Sequence, residues 1–159
     1  MPALLSRAPH HVSASRRYAA APEAVYDALM AAPLEELLTR RSGPIPAVKD
    51  TTKGPWAAAG DQRTITTKDG GSMIESLVTV ERPAGYRYRL TDFRGPMKPL
   101  VRLVEGQFAI HAEGDGTRVT WSWTLHPTSS VTRLTLPPFG FFWQGAARGL
   151  LDRLGERIR

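Results

Sequence analysis

The stretch that decides the fold is GQFAIHAEGDGTRVTWSWTLH, residues 106–126. Gly114-Asp115-Gly116 supplies the positive φ angles that a tight hairpin needs, and it separates two runs with period-two alternation. Folding the chain about this turn pairs Ile110 with Val119, Phe108 with Trp121, and Gly106 with Trp123. One face of the hairpin is then aromatic, and the glycine makes room for an indole. The reverse face is predicted to meet solvent and carries Gln107, Ala109, His111, Arg118, Thr120 and Ser122.

Two further turns indicate more antiparallel strands upstream. Asp69-Gly70-Gly71 separates residues 63–68 from residues 72–80, and Pro83-Ala84-Gly85 separates the latter from residues 86–93. About the second turn, the predicted pairs are Tyr86 with Glu81, Tyr88 with Thr79, Leu90 with Leu77, and Asp92 with Glu75, while Val78, Val80, Arg87 and Arg89 share the opposite face. Neither face is purely apolar. Either a β-bulge shifts the register or the inner surface is semi-polar, as the wall of a ligand cavity would be.

The two ends of the chain carry the helical signals. A strand is predicted over residues 10–20, a helix begins at Pro22, and a second short helix follows Pro33. Residues 43–60 predict one strand and a loop. After Pro137-Pro138 the apolar positions follow one helical face, which predicts a long terminal helix; these positions are Phe139, Trp143, Ala147, Leu150, Leu151, Leu154 and Ile158.

Composition limits the classes of protein that fit. A length of 159 residues suits one domain, and the absence of cysteine excludes disulfides, thiolate metal sites and a cysteine nucleophile. No apolar run is long enough for a membrane helix, and the first residues lack a signal peptide, which predicts a cytoplasmic protein without permanent membrane association. The formal charge of +6 comes from scattered arginines, so no nucleic-acid partner is expected. The sequence leaves the oligomeric state open.

Several motifs, in this order, resemble one superfamily. Residues 22–29, PEAVYDAL, look like the opening helix of the START-like polyketide cyclase and lipid-transport superfamily, also called Bet v 1-like or SRPBCC. Gly60-Asp61-Gln62-Arg63, followed by Asp69-Gly70 and Glu75, is similar to its third and fourth strands. Residues 116–127 match its last strand, and residues 150–154 fit its long helix.

The resemblance implies an α+β helix-grip fold. In this fold a seven-stranded antiparallel curved sheet, with two short helices, wraps a long C-terminal helix. Residues 10–159 would form the single ligand-binding domain, and residues 1–9 a tail. A cavity between sheet and helix would bind, and possibly transfer, a small hydrophobic molecule such as a lipid, quinone or aromatic polyketide. The expected cavity residues are Arg63, Met73, Glu75, Leu77, Tyr88, Leu90, Phe108, Trp121, Trp123, Phe142 and Trp143.

An enzyme is the alternative hypothesis. Glu75 lies between apolar residues on a predicted strand, where burial would raise its pKa unless Arg63 or Arg89 pairs with it. Such a carboxylic acid could handle protons in a polyketide cyclase or dehydratase, with Arg63 or Tyr88 assisting. Glu75 could equally be a solvated or ion-paired strand residue. No catalytic residue is assigned beyond this candidate, and no metal or cofactor is expected, because the four histidines lack ligand spacing. A third hypothesis is an interaction module that associates with ribosomes or chaperones.

Overall fold

The structure is a computed structural model that describes residues 8–158. Its helices are α1 (Pro22–Ala31), α2 (Leu34–Leu37) and α3 (Leu136–Arg157), the last preceded by a 3-10 turn at Thr132–Thr135. Its strands are β1 (His10–Tyr18), β2 (Val48–Thr51), β3 (Gln62–Thr67), β4 (Ser72–Glu81), β5 (Gly85–Arg94), β6 (Val101–Glu113) and β7 (Gly116–Pro127). Residues 1–7 of the predicted tail lie outside the described residues.

All seven strands form one antiparallel sheet in the order β1-β7-β6-β5-β4-β3-β2. Because β1 pairs with the last strand, the segment containing α1 and α2 must cross to the far edge before β2 begins. Helix α3 packs on the inner face of the sheet, where the Trp143 ring lies 4.9 Å from that of Trp121. This arrangement confirms the predicted α+β helix-grip fold.

Prolines set the boundaries of the helices. Pro22 occupies the first turn of α1, where its missing N–H costs no hydrogen bond, and Pro33 separates α1 from α2. Helix α3 begins at Leu136, so that Pro137 and Pro138 lie in its first turn. The predicted apolar face of α3 is buried from Phe139 to Leu154. Within the described residues, none of the helices combines the length and the apolarity needed to cross a membrane.

The predicted register of the β6–β7 hairpin is confirmed. Ile110 pairs with Val119, Phe108 with Trp121 and Gly106 with Trp123. The role of the glycine, however, differs from the prediction. A methyl group at Gly106 would lie within 2.5 Å of three ring carbons of Tyr88, which comes from β5. Gly106 therefore makes room for the Tyr88 ring rather than for the indole of Trp123.

The predicted β4–β5 register is wrong, first because the turn comprises residues 82–84 rather than 82–85, and then because the pairing has two irregularities. Glu81 pairs with Gly85 rather than Tyr86, and a bulge between Leu77 and Thr79 then brings Leu77 opposite Tyr88. The observed pairs replace all four that the sequence predicted: Val80 with Tyr86, Thr79 with Arg87, Leu77 with Tyr88, and Glu75 with Leu90. A second irregularity lies near Asp92, whose φ of 54° breaks the alternation. Both explanations left open hold, because the strands carry bulges and the inner surface is semi-polar, with Glu75 and Tyr88 on it.

Candidate ligand cavity

A cavity lies between the inner face of the sheet, helices α1 and α2, and helix α3. Its volume is about 60 Å³. Most of its wall is apolar, and five polar side chains interrupt it: Arg63, Thr67, Glu75, Tyr86 and Tyr88. Buried polar groups are costly in apolar surroundings unless they are paired, so their convergence on one cavity identifies it as the candidate site.

Eight of the eleven residues expected at the cavity line it. They are Arg63, Met73, Glu75, Tyr88, Leu90, Phe108, Trp121 and Trp123. The other three do not line it. Leu77 is buried elsewhere in the core, Trp143 is buried behind Trp121 and Trp123, and Phe142 lies outside, against Gly43, where it is partly exposed.

Sequence reasoning missed a whole wall of the cavity. This wall comes from α1, α2, the loop that leads into β2 and the first residue of β2, and it consists of Leu29, Ala32, Leu34, Leu37, Leu38, Ile45, Pro46 and Val48. Tyr86 was also missed, although the predicted register placed it on the same face as Tyr88. That shared face was a usable signal for Tyr86, whereas the loop offers no periodicity from which to infer an orientation.

Arg63 and Glu75 form an ion pair inside the sheet. The two residues are direct cross-strand partners on β3 and β4, and the Arg63 Nε donates to Glu75 Oε1 over 2.5 Å. The guanidinium also stacks over Trp56, 4.0 Å from the ring centroid. Both side chains are largely shielded from solvent, with Glu75 only 3% exposed.

Burial dominates the protonation of Glu75. Removal from water raises the pKa of its carboxyl, and the attraction and hydrogen bond of Arg63 lower it by less. The site therefore combines a carboxyl that holds its proton more tightly than usual with a permanently charged guanidinium. This pair can orient a polar group of a ligand, and the carboxyl has the properties of a proton donor.

Tyr88 is the centre of an aromatic hydrogen-bonded cluster. The indole N–H groups of Trp121 and Trp123 both donate to its hydroxyl oxygen, each over 2.8 Å. Burial raises the pKa of the Tyr88 hydroxyl, and the nearby Glu75 raises it further, so the group stays protonated at neutral pH. Phe108 stacks on Trp121 with ring centroids 5.3 Å apart and extends the aromatic wall.

The cavity is small compared with the pockets that bind drug-sized molecules. Such pockets usually have volumes of about 300–1,000 Å³. At about 60 Å³, this cavity is too small to hold the predicted hydrophobic ligand unless the surrounding side chains rearrange. Its wall does contain two methionines, Met73 and Met97, and flexible thioether side chains adapt readily to a change in cavity shape.

The histidines do not contribute to the cavity. His11 contacts Thr124 and His126 contacts Glu105, each through a hydrogen bond on an exposed part of the sheet. Across residues 8–158, no group of three His, Asp or Glu side chains is arranged to hold a metal ion. The chemistry of the cavity therefore depends on its carboxyl, guanidinium and hydroxyl groups.

Comparison with known protein families identifies the family of this chain. The sequence of residues 9–159 matches the family described as polyketide cyclase / dehydrase and lipid transport. The chain belongs to that family. This polyketide cyclase / dehydrase and lipid transport family is the one that the order of the sequence motifs predicted. A comparison of the sequence with curated proteins gave no match.

Solved structures share the fold of this family member at low sequence identity. Major latex-like protein 151 from Panax ginseng has a TM-score of 0.71 at 7% identity, with 96% of this chain and 99% of that chain covered. A protein from Thermus thermophilus has a TM-score of 0.69 at 21% identity, covering 94% and 97%. Ara h 8.0201 has a TM-score of 0.62 at 14% identity, also covering 94% and 97%. At these identities the likeness extends to the fold alone.

Proposed function

We propose that the chain binds a small hydrophobic molecule in the cavity between the sheet and α3. The observation that carries this proposal is the composition of the wall, which is aromatic and aliphatic except for a few converging polar groups. A stable core gains nothing from a buried ion pair beside a cavity, whereas a binding site uses such groups to orient its ligand. Membership of the family supports the same function.

Binding of anything larger than a few water molecules requires the cavity to expand. The wall formed by α2 and the loop before β2 is the best candidate to move, because α2 is only four residues long and is not part of the sheet. Leu34 and Leu38 of this wall are only partly buried, in contrast to the fully buried sheet residues. We expect ligand entry at this wall, with Met73 and Met97 adjusting to the shape of the ligand.

Tryptophan fluorescence tests this function directly, since Trp121 and Trp123 line the cavity. A panel of fatty acids, sterols, quinones and aromatic polyketides should include compounds that change the emission and raise the melting temperature. The cavity-filling variant Ala32→Leu should weaken binding at least tenfold while it retains the fold. Ala24→Leu, on the exposed side of α1, is the matched control and should bind normally. If no compound of the panel changes either signal, the proposal is wrong.

A cyclase or dehydratase activity is the second candidate function, and the raised pKa of Glu75 favours it. In its protonated form the Glu75 carboxyl donates its proton to a substrate hydroxyl, which leaves as water. The resulting carboxylate could then accept a proton from the adjacent carbon as the double bond forms. Glu75→Gln should abolish dehydration of a β-hydroxy ketone substrate and leave binding intact. An unchanged product profile in this variant would remove the assigned role.

A further inference from the structure

The hydroxyl of Tyr88 has a hydrogen-bonding state that its neighbours determine. An indole N–H can only donate a hydrogen bond, so the contacts from Trp121 and Trp123 oblige the Tyr88 oxygen to accept twice. A phenolic oxygen has two acceptor positions and one proton to donate. Both acceptor positions are therefore occupied, and only the O–H proton remains to form a further hydrogen bond.

That proton has no acceptor among residues 8–158. The Tyr88 hydroxyl forms hydrogen bonds only with the two indoles, and the Glu75 carboxyl bonds to the Arg63 guanidinium through Oε1 rather than to Tyr88. Tyr88 is 3% exposed and lines the cavity. A buried donor without a partner is costly, and it is satisfied when a ligand supplies an acceptor.

We propose that Tyr88 donates a hydrogen bond to a carbonyl oxygen of the ligand, and that the cavity thereby selects ring-bearing ketones over hydrocarbons of the same shape. This inference rests on the proposed binding function and names its ligand class. The two indole donors polarise the hydroxyl and strengthen it as a donor. The stacked rings of Phe108 and Trp121, 5.3 Å apart and within 4° of parallel, provide a flat wall for a planar ligand.

A neutral carbonyl group suits this site, because the Arg63 guanidinium that lines the same cavity is already paired with Glu75. Burial is the main cause that raises the pKa of the Tyr88 hydroxyl, with Glu75 adding to it and Arg63 opposing it. Burial keeps Tyr88 protonated, which preserves the donor over the whole range of physiological pH. A site built around one buried donor discriminates strongly against an analogue that lacks the acceptor.

The test compares two probes of the same shape, acetophenone and α-methylstyrene. In α-methylstyrene a CH₂ group replaces the carbonyl oxygen of acetophenone. Their dissociation constants are measured by tryptophan fluorescence on the wild-type protein, Tyr88→Phe and Tyr26→Phe. Tyr26 is the matched control, because it is a buried tyrosine that packs against Tyr86, does not line the cavity and receives no indole hydrogen bond. The infrared carbonyl band of bound, ¹³C-labelled acetophenone reports the hydrogen bond independently of affinity.

The wild-type protein should bind acetophenone about tenfold more tightly than α-methylstyrene. Its bound carbonyl band should lie at lower frequency than in hexane. Tyr88→Phe should lose both the preference and the band shift, and Tyr26→Phe should keep both. Equal binding of the two probes, or a preference that survives in Tyr88→Phe, overturns the inference and leaves the binding function standing. Binding of neither probe also overturns the inference, whereas the binding function is decided by the wider panel of compounds. Should Tyr88→Phe fail to fold, an unshifted band in the wild-type protein is sufficient to overturn the inference.

Discussion

Replacement of Gly106 by alanine tests whether the aromatic cluster is as tightly constrained as the structure indicates. The new methyl group would lie within 2.5 Å of three carbons of the Tyr88 ring. Carbon atoms in contact normally lie about 3.5–4.0 Å apart, so the ring must retreat by roughly 1 Å or more. The two indole hydrogen bonds of 2.8 Å would then exceed the range of normal geometry and be lost.

The cost of Gly106→Ala follows from these two effects. Overpacking of a filled interior costs about 1–3 kcal/mol. The two lost hydrogen bonds add about 1 kcal/mol each. The sum is about 3–5 kcal/mol, which for a chain of this length lowers the melting temperature by roughly 6–20 °C. Urea denaturation, followed by circular dichroism, measures the change in the free energy of unfolding.

A double-mutant cycle separates the clash with Tyr88 from other effects of the new methyl group. In a Tyr88→Leu background the ring is absent, so Gly106→Ala should be neutral or stabilising by about 0.5–1 kcal/mol, because alanine loses less backbone entropy than glycine. If Gly106→Ala costs the same in both backgrounds, the Tyr88 ring is not what requires the glycine, and the reasoning is refuted.

Three further predictions concern the buried polar groups. The native state binds the Glu75 proton more tightly than the unfolded chain does. The difference in the free energy of unfolding between wild type and Glu75→Gln should therefore fall as pH rises above 4.5. An increase would mean that the attraction of Arg63 outweighs burial. In urea denaturation, Trp121→Phe should lower the free energy of unfolding by about 1–3 kcal/mol more than Trp143→Phe does. The Trp121 N–H donates to Tyr88, whereas among the described residues the Trp143 N–H is buried without a partner. Equal costs would contradict this expectation. Glu75→Leu alone should lower the free energy of unfolding by about 3–5 kcal/mol. The double variant Arg63→Met/Glu75→Leu should be at least as stable as wild type. A double variant as unstable as the single one would show that the pair stabilises the fold.

The sequence was most informative where turn chemistry and alternation agreed. In residues 106–126 a Gly-Asp-Gly turn and a strict period of two led to the correct pairs. The β4–β5 hairpin also has clear turn residues, but its turn is one residue shorter than predicted, and an unpaired position at Val78 then changes the pairs beyond it. A bulge is hard to recognise in a single sequence, because the extra residue fits either the inward-facing or the outward-facing set of side chains.

The candidate site was predicted in part for a similar physical reason. Residues of the inner sheet face could be identified because a strand that alternates has only two faces. Phe142 and Trp143, by contrast, were assigned to the cavity from aromatic content at the start of a helix. A helical pattern separates buried from exposed positions, but it does not distinguish a cavity wall from the core behind it. Trp143 lies in that core, and Phe142 lies outside it.

The Arg63–Glu75 pair argues that the interior is organised for a ligand rather than for stability. Burying two charges costs several kcal/mol per ion before their attraction is counted, and apolar residues of similar volume usually stabilise a protein as well or better. The neighbouring hydroxyl of Tyr88 retains a donor that no described residue satisfies. A core under selection for packing alone would replace the ion pair with two apolar residues of similar volume. The presence of the ion pair and of the Tyr88 donor in the wall of one cavity of about 60 Å³ is explained if a guest molecule completes the hydrogen bonds that the protein leaves open.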